Sequence, residues 1–238
     1  MIRFRADLHV HTVLSPCAGR DMLPEQIVKA ALFHEINLIA ITDHNASQNA
    51  AAVISVAEEQ GLLALPGMEL QTIEEIHSLC LFDNLDQLQT LQELVDRLLP
   101  NRTNNDAVFG PQVIVDKHGE VLAHEKRMLL APVQITIQDA CRFVSNLGGL
   151  FIPAHVNREA FGLLPRLGSV PPDLEVEFLE ITRNANKDTL LQKYPQLAEY
   201  HLLKNGDVHY LEDFLGALEF YAQGSSLAAI RNGLISIL

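Results

Sequence analysis

Two histidines one residue apart, His9 and His11 in Asp7-Leu8-His9-Val10-His11, are the residues of this chain best suited to chemistry. Phe4 to Val10 alternates as an extended segment does, and residues i and i+2 of a strand share a face, so Asp7, His9 and His11 are expected to point one way. Two neutral imidazoles with a carboxylate behind them suit a divalent cation and offer little to a hydrophobic core. A lone histidine is most often a core or surface residue, but here the same types recur beside apolar runs. Asp43 and His44 follow Leu38–Ile41, Glu69 follows Leu62–Leu65 and Pro66-Gly67, and His155 follows Leu150–Ile152. His77 opens Leu79–Phe82, and Gly206-Asp207-Val208-His209 ends the series. His34, His118, His124 and His201 fall outside these fragments and receive no role; Met68 and the phenylalanines read as packing.

The elements that must position these groups alternate in type. Pro24–His34 reads as a helix with proline at its start, Leu38–Thr42 as a buried strand, Ser47–Gln60 as a helix ended by Gly61, and Leu62–Leu65 as a third apolar run. Leu85, Leu88, Leu91, Leu94, Val95 and Leu98 recur at helical spacing between Asp86, a candidate cap, and Pro100. Gln112–Val115 and Glu120–Ala123 flank Asp116–Gly119 like the arms of a hairpin, within a departure from the regular rhythm at about 101–130. This insertion reads as a passive excursion in preference to a flap. A helix over Ile137–Leu147, strands at Leu150–Pro153 and Phe178–Thr182, and helical sequence over Thr189–Tyr200 complete the alternation. It predicts a mainly parallel sheet with right-handed crossovers, six or seven units closing into a barrel whose functional groups gather where strands end. His77 begins its strand, so the sheet is expected to run the other way there.

A chain of 238 residues, 48% hydrophobic, fits one α/β domain spanning 1–238. Seventeen basic against 30 acidic residues give a net charge of −13, which argues against a surface that holds long nucleic acid by its phosphates. Cys17, Cys80 and Cys141 show no CxxC spacing and suggest neither a disulfide framework nor a zinc ribbon. The first histidines come before any long apolar stretch and no run of about 18 apolar residues follows, so a soluble, cytoplasmic protein without membrane partners is expected.

Taken in order, DLHVH, TDHN, PGME, IHSL, AHVN and GDVH resemble the polymerase and histidinol phosphatase (PHP) domain family over essentially the whole chain. The resemblance implies a distorted (β/α)7 TIM-like barrel and a metal-dependent phosphoesterase with two or three divalent ions, zinc, manganese or iron. It implies that His9, His11, Glu69 and Asp207 hold one ion, that Glu69 bridges to a second held with His77 and His155, and that His44 and His209 serve a third. Many relatives carry an aspartate or histidine shortly after the first pair. Here the segment runs from Ser15 to Asp21, and either Cys17 or Asp21 fills the position. A Cys17 thiolate suits zinc and is slightly favoured, although a free cysteine is commonly a small hydrophobe and Asp21 also reads as a cap for the helix from Pro24.

A phosphate ester resists attack because its charged oxygens repel the nucleophile, so the expected chemistry is cation-assisted hydrolysis by water. Glu69, Asp207 and His209 are the expected catalytic residues: Glu69 as the bridging carboxylate, and His209 or Asp207 as a proton shuttle if the third ion is absent. Asp43 reads as a carboxylate that fixes a histidine. Arg158 and Arg183 are candidates for the substrate phosphate, weighed against surface pairing with Glu159 or Glu180; Lys126-Arg127 reads as solvated. The expected substrate is a small phosphate monoester such as a nucleotide or an amino-alcohol phosphate. The alternatives are an exonuclease on short nucleic acids, disfavoured by the acidic charge, and a non-catalytic metal-binding domain, disfavoured by the near-complete ligand set.

Overall fold

The computed structural model describes residues 1–236. In chain order the elements are β1 (Ile2–Val10), α1 (Pro24–Phe33), β2 (Leu38–Ile41), α2 (Ala50–Glu59), β3 (Leu63–Gln71), β4 (His77–Leu81), α3 (Leu85–Leu98), α4 (Asp106–Phe109), β5 (Val113–Val115) and β6 (Val121–His124). There follow α5 (Ile137–Asn146), β7 (Leu150–Pro153), α6 (Leu163–Leu167), β8 (Phe178–Ile181), α7 (Lys187–Lys193), β9 (His201–Lys204), β10 (Leu218–Ala222) and α8 (Leu227–Ile235). Among the described residues no helix is long and apolar enough to cross a membrane.

Six strands form one sheet in the order β10-β1-β2-β3-β4-β7, and β8 and β9 form a separate parallel pair. β1, β2 and β3 are parallel, with α1 and α2 as crossovers, whereas β10 and β4 run against their neighbours. The expected closed (β/α)7 ladder is therefore not formed among the described residues; the architecture is mixed α/β with a sheet curled part-way to a barrel. One edge of β1 is taken by β10 over Ile2–Ala6, which leaves only its far end for the β8–β9 side. There, isolated bonds replace a ladder: Asn205 Oδ1 accepts from the Leu8 amide at 2.9 Å, Val208 N donates to the His9 carbonyl at 2.9 Å and His11 N to the Val208 carbonyl at 3.0 Å. At the other edge of the pair, Val156 N, just after β7, donates to the Glu180 carbonyl at 2.8 Å.

The reversal at β4 explains His77. Because β4 runs antiparallel to β3, with Gln71 opposite His77 and Glu69 opposite Leu79, the start of β4 lies at the rim where β3 ends. β3 itself continues past the Leu62–Leu65 run, through Pro66-Gly67, to Gln71. Gly67 is required there, since a Cβ would lie 2.9 Å from Leu81 Cδ2 and about 3 Å from the carbonyls of Cys80 and Ile41.

Helix ends correct two further expectations. Asn84, not Asp86, caps α3, accepting from the Gln87 amide while the Gln87 side chain accepts from the Asn84 amide. The Thr189–Tyr200 stretch is not one helix, because Pro195 follows the end of α7 and begins a 3₁₀ turn. The β5–β6 hairpin forms and is tied down: Val113 N donates to the Val13 carbonyl, and Asn49 bonds both the Val113 carbonyl and the Val115 amide. The central strands are buried on both faces, which is why they read as unbroken apolar runs. Ile39 and Ile41 pack with Ile27 and Val53 on the helix side, while Leu38 and Ala40 join Phe178, Leu203 and Ile230 on the inner side.

Candidate metal centre

The rim above the inner core collects side chains from most of the strands. His9 lies one residue before the end of β1 and His11 just after it, His44 lies beyond β2, Glu69 is in β3, His77 starts β4, His155 follows β7, and Asp207 and His209 follow β9. Glu69 stands at the centre, fully buried. Its Oε1 is 3.3 Å from His9 Nε2, 2.9 Å from His77 Nδ1 and 3.0 Å from His155 Nε2; its Oε2 is 3.4 Å from His11 Nε2 and 2.9 Å from His44 Nδ1. Asp207 Oδ1 completes one group, 3.2 Å from His9 Nε2 and 3.5 Å from His11 Nε2.

These separations test whether cations fit. Atoms about 2.1 Å from a tetrahedral cation stand about 3.4 Å from one another, close to the spacing of His9, His11, Glu69 and Asp207. Moreover, His9 Nε2, His11 Nε2, Glu69 Oε2 and Asp207 Oδ1 are buried without a hydrogen-bond partner, as are His44 Nδ1, His77 Nε2 and His155 Nδ1. Buried polar atoms normally find partners, so the orphans among them that surround Glu69, on His9, His11, His44 and Asp207, fit a site shaped for cations; His77 and His155 turn their other nitrogens to Glu69. His11, His44 and His209 form a further group with ligand atoms within 4.8 Å of one another.

Outer contacts fix which nitrogen faces inward. Glu180 accepts from His9 Nδ1 at 3.0 Å, so Nε2 keeps its lone pair for the centre. The Ser15 hydroxyl donates to Asp43 at 2.7 Å and therefore accepts from His11 Nδ1 at 3.0 Å, with the same result. His209 Nδ1 donates to the Asp207 carbonyl at 2.9 Å. Asp43 also accepts from the amide and hydroxyl of Thr12, and thus acts on His11 through Ser15. Asp7 stays outside the group, its carboxylate accepting the Gly206 and Leu215 amides. At Gly206 a Cβ would meet the Asp213 carbonyl at 2.6 Å and Asp7 Oδ2 at 2.7 Å, so only glycine fits beneath the Asp207 turn. His155 and Asp207 both take positive φ, 31° and 51°, a conformation that side-chain-bearing residues hold only when their surroundings enforce it.

The electrostatics follow from burial and crowding. Burial opposes charge on Glu69, but His77, His9 and His44 outweigh it and hold the carboxyl well below its usual range. Asp207 is lowered in the same way, against burial, by His9 and His11. Burial also works against a charged His9, yet Glu180, Asp207 and Glu69 raise its pKa well above that of a free imidazole. His44 is raised against burial, chiefly by Glu69 and Cys17. His11 is pushed well below the free value by burial and by His209 and His44, and burial brings His77 to about 4. Burial pushes the Cys17 thiol up, but His44 and His209 bring it down to about 6.

Cys17 therefore neighbours the His44–His209 side of the group even though the residue as a whole is exposed. Asp21 is exposed, its carboxylate over Gly19. Arg158 pairs with Asp207 at 2.9 Å and Arg183 with Asp213 at 3.0 Å, not with Glu159 or Glu180. Both arginines line a cavity of about 270 Å³ beside His155, Thr182 and Asp207. A larger cavity of about 630 Å³ near the starts of β7 and β8 has its Arg231 paired with Glu177 at 2.6 Å and touches none of these histidines, so the smaller one matters for chemistry. Arg127 pairs with Asp96 and Glu125 away from the centre. Sequence reasoning missed Ser15, Asn205 and above all Glu180. Glu180 is only 2% exposed and accepts from His9, the His155 amide and Asn205 Nδ2. Its signal was a single carboxylate inside the apolar run Phe178–Ile181.

A family model described as the PHP domain matches residues 7–148. No curated protein matches. Among solved structures, the lesion-specific endonuclease PfuEndoQ from Pyrococcus furiosus superposes with a TM-score of 0.72 at 17% identity, covering 100% of this chain and 57% of that one. Endonuclease Q in complex with a 27-mer duplex carrying an abasic lesion at its active site gives 0.75 at 17% identity, with the same coverage. A proposed metal-dependent phosphoesterase from Bifidobacterium adolescentis gives 0.62 at 15% identity, covering 97% of this chain and 95% of that one. At these identities the likeness is one of fold, and the chain spans a little over half the length of the endonuclease Q structures.

Proposed function

This chain belongs to the PHP domain family, and from that premise we propose that it is a metal-dependent phosphoesterase that hydrolyses a small phosphate monoester, such as a nucleotide or an amino-alcohol phosphate. The observation that carries the reading is the set of buried, unpartnered ligand atoms around Glu69, with His9, His11 and Asp207 at 3.2–3.5 Å spacings. His9, His11, Glu69 and Asp207 would hold one cation, Glu69 with His77 and His155 a second, and His44 and His209 with Cys17 a third. When bound, such cations neutralise phosphoryl charge and lower the pKa of water towards about 7.

The remaining work falls to side chains. Glu69 keeps its charge at neutral pH and joins the two histidine groups. Arg158 and Arg183 present guanidinium N–H groups to a phosphoryl group in the small cavity, where a planar fork suits phosphate oxygens. If no cation sits at the His44–His209 group, His209, raised against burial by Cys17 and Asp207 and at the partly open edge, would pass a proton to the leaving oxygen while Asp207 stays ionised. The cavity's size and the net charge of −13 favour a small ester over a polynucleotide.

The test is elemental analysis of protein purified without added metal, then hydrolysis of a phosphorylated-metabolite panel, bis-p-nitrophenyl phosphate and end-labelled oligonucleotides with zinc, manganese or iron restored. Monoester cleavage that vanishes together with bound metal in folded His9→Ala and Asp207→Ala proteins is expected. Unchanged activity in either variant would remove the site, and oligonucleotide shortening without monoester cleavage would replace the phosphatase reading by a nuclease.

A further inference from the structure

His77 differs from the better-anchored ligands in how it is held. His9, His11 and His209 each give their outer nitrogen to an acceptor, respectively Glu180, Ser15 and the Asp207 carbonyl. The outer Nε2 of His77 has no partner, and its Nδ1 faces Glu69 at 2.9 Å. No hydrogen bond from outside the centre therefore sets the plane of this ring. What lies against it is Phe161, with ring centroids 4.5 Å apart and planes within 10°. The imidazole–imidazole contacts of the centre are inclined by 27° to 62°.

The backbone under Phe161 is built to keep that stack. Phe161 has φ +63°, unfavourable for a bulky residue, and its carbonyl accepts the His77 amide at 3.1 Å. The next residue is Gly162, where a Cβ would collide with the Arg158 carbonyl. The same turn begins at His155, at φ +31°, and carries Arg158, which pairs with Asp207. One strained turn thus delivers His155, the ring that covers His77, and the guanidinium beside Asp207.

We propose that Phe161 is a positioning residue for the cation held by His77 and His155: its ring, locked by the turn, sets the plane of His77 in place of an outer hydrogen bond. This rests on the metal-centre reading above. Aromatic stacking is worth up to about tenfold in binding and an outer contact of a metal ligand about 10–100-fold, so a loss of about tenfold is the size expected here.

The experiment measures zinc and cobalt(II) affinity and stoichiometry by competition with a chelator, together with the cobalt(II) absorption spectrum, on full-length Phe161→Ala, Phe161→Tyr and His77→Ala proteins whose circular dichroism matches the parent. Phe161→Ala is expected to weaken one cation about tenfold and change the cobalt spectrum, leaving the others bound. Phe161→Tyr, which keeps the ring, is expected to stay within about twofold of the parent. If Phe161→Ala does not fold, Phe161→Leu, which keeps apolar bulk without the flat face, carries the same expectation. Parent-like affinity and spectrum without the ring, or an equal loss in Phe161→Tyr, would overturn the proposal. A His77→Ala protein that keeps every cation would instead overturn the metal-centre reading, so the two failures are distinguishable.

Discussion

Glu69 faces five imidazoles from different parts of the chain, and the consequences are sharpest in the side chains one step removed. Glu180 holds His9 Nδ1, so Glu180→Ala leaves that ring free to turn and to protonate on the wrong nitrogen. A loss of about 10–100-fold in metal affinity is expected, measurable by chelator competition, with secondary structure retained by circular dichroism. Unchanged affinity would show that packing alone orients His9. The pH dependence has a definite sign. Only a neutral imidazole can ligate; His77, at about 4, and the lowered His11 are neutral at pH 7, whereas His9 and His44 are raised and must release a proton to bind. Metal content and rate should therefore fall together as pH drops, the loss setting in at or above the free-imidazole range where His9 and His44 take up protons and being well advanced by about pH 5. Full activity at pH 5 with metal still bound would contradict this.

Elements decide which of these residues can meet. The antiparallel β4 returns His77 to the rim that β3 has just reached, and the short parallel bridge between Val10 and Val208 brings the Asp207 turn beside the end of β1. Helices on the outside contribute stability without touching the centre. The α3 capping box is an example: Asn84→Ala should cost about 1 kcal/mol, seen as a lower urea midpoint at unchanged slope, with metal stoichiometry as in the parent. A loss of metal in that variant would mean that α3 and the centre are coupled.

At the scale of the molecule, a rim full of buried, unpartnered ligand atoms is unfavourable without cations. A ligand that binds only the folded state stabilises it by mass action, by about 2.7 kcal/mol at a hundredfold excess over Kd. Chelation should therefore lower the melting temperature by several degrees and readdition of metal should restore it, followed by scanning calorimetry. A melting temperature indifferent to chelator would argue that the rim holds no cation. The fold is shared with proteins as different as an endonuclease and a proposed phosphoesterase, so the fold by itself does not fix the substrate.

The sequence alone marked His9, His11, His44, Glu69, His77, His155, Asp207 and His209 as candidate ligands, because imidazoles and carboxylates recurring beside apolar runs are what a cation demands and parallel strands carry such groups to one rim. It also determined the alternation of helix and strand, written in apolar periodicity. Only the tertiary structure decided that the sheet stops short of a closed ladder, that Glu180 lies behind His9 and not at the surface, that Arg158 pairs with Asp207, and that Phe161 covers His77. Each of these depends on contacts between segments distant in the chain or on a backbone turn of positive φ, and neither leaves a periodic trace in residue order.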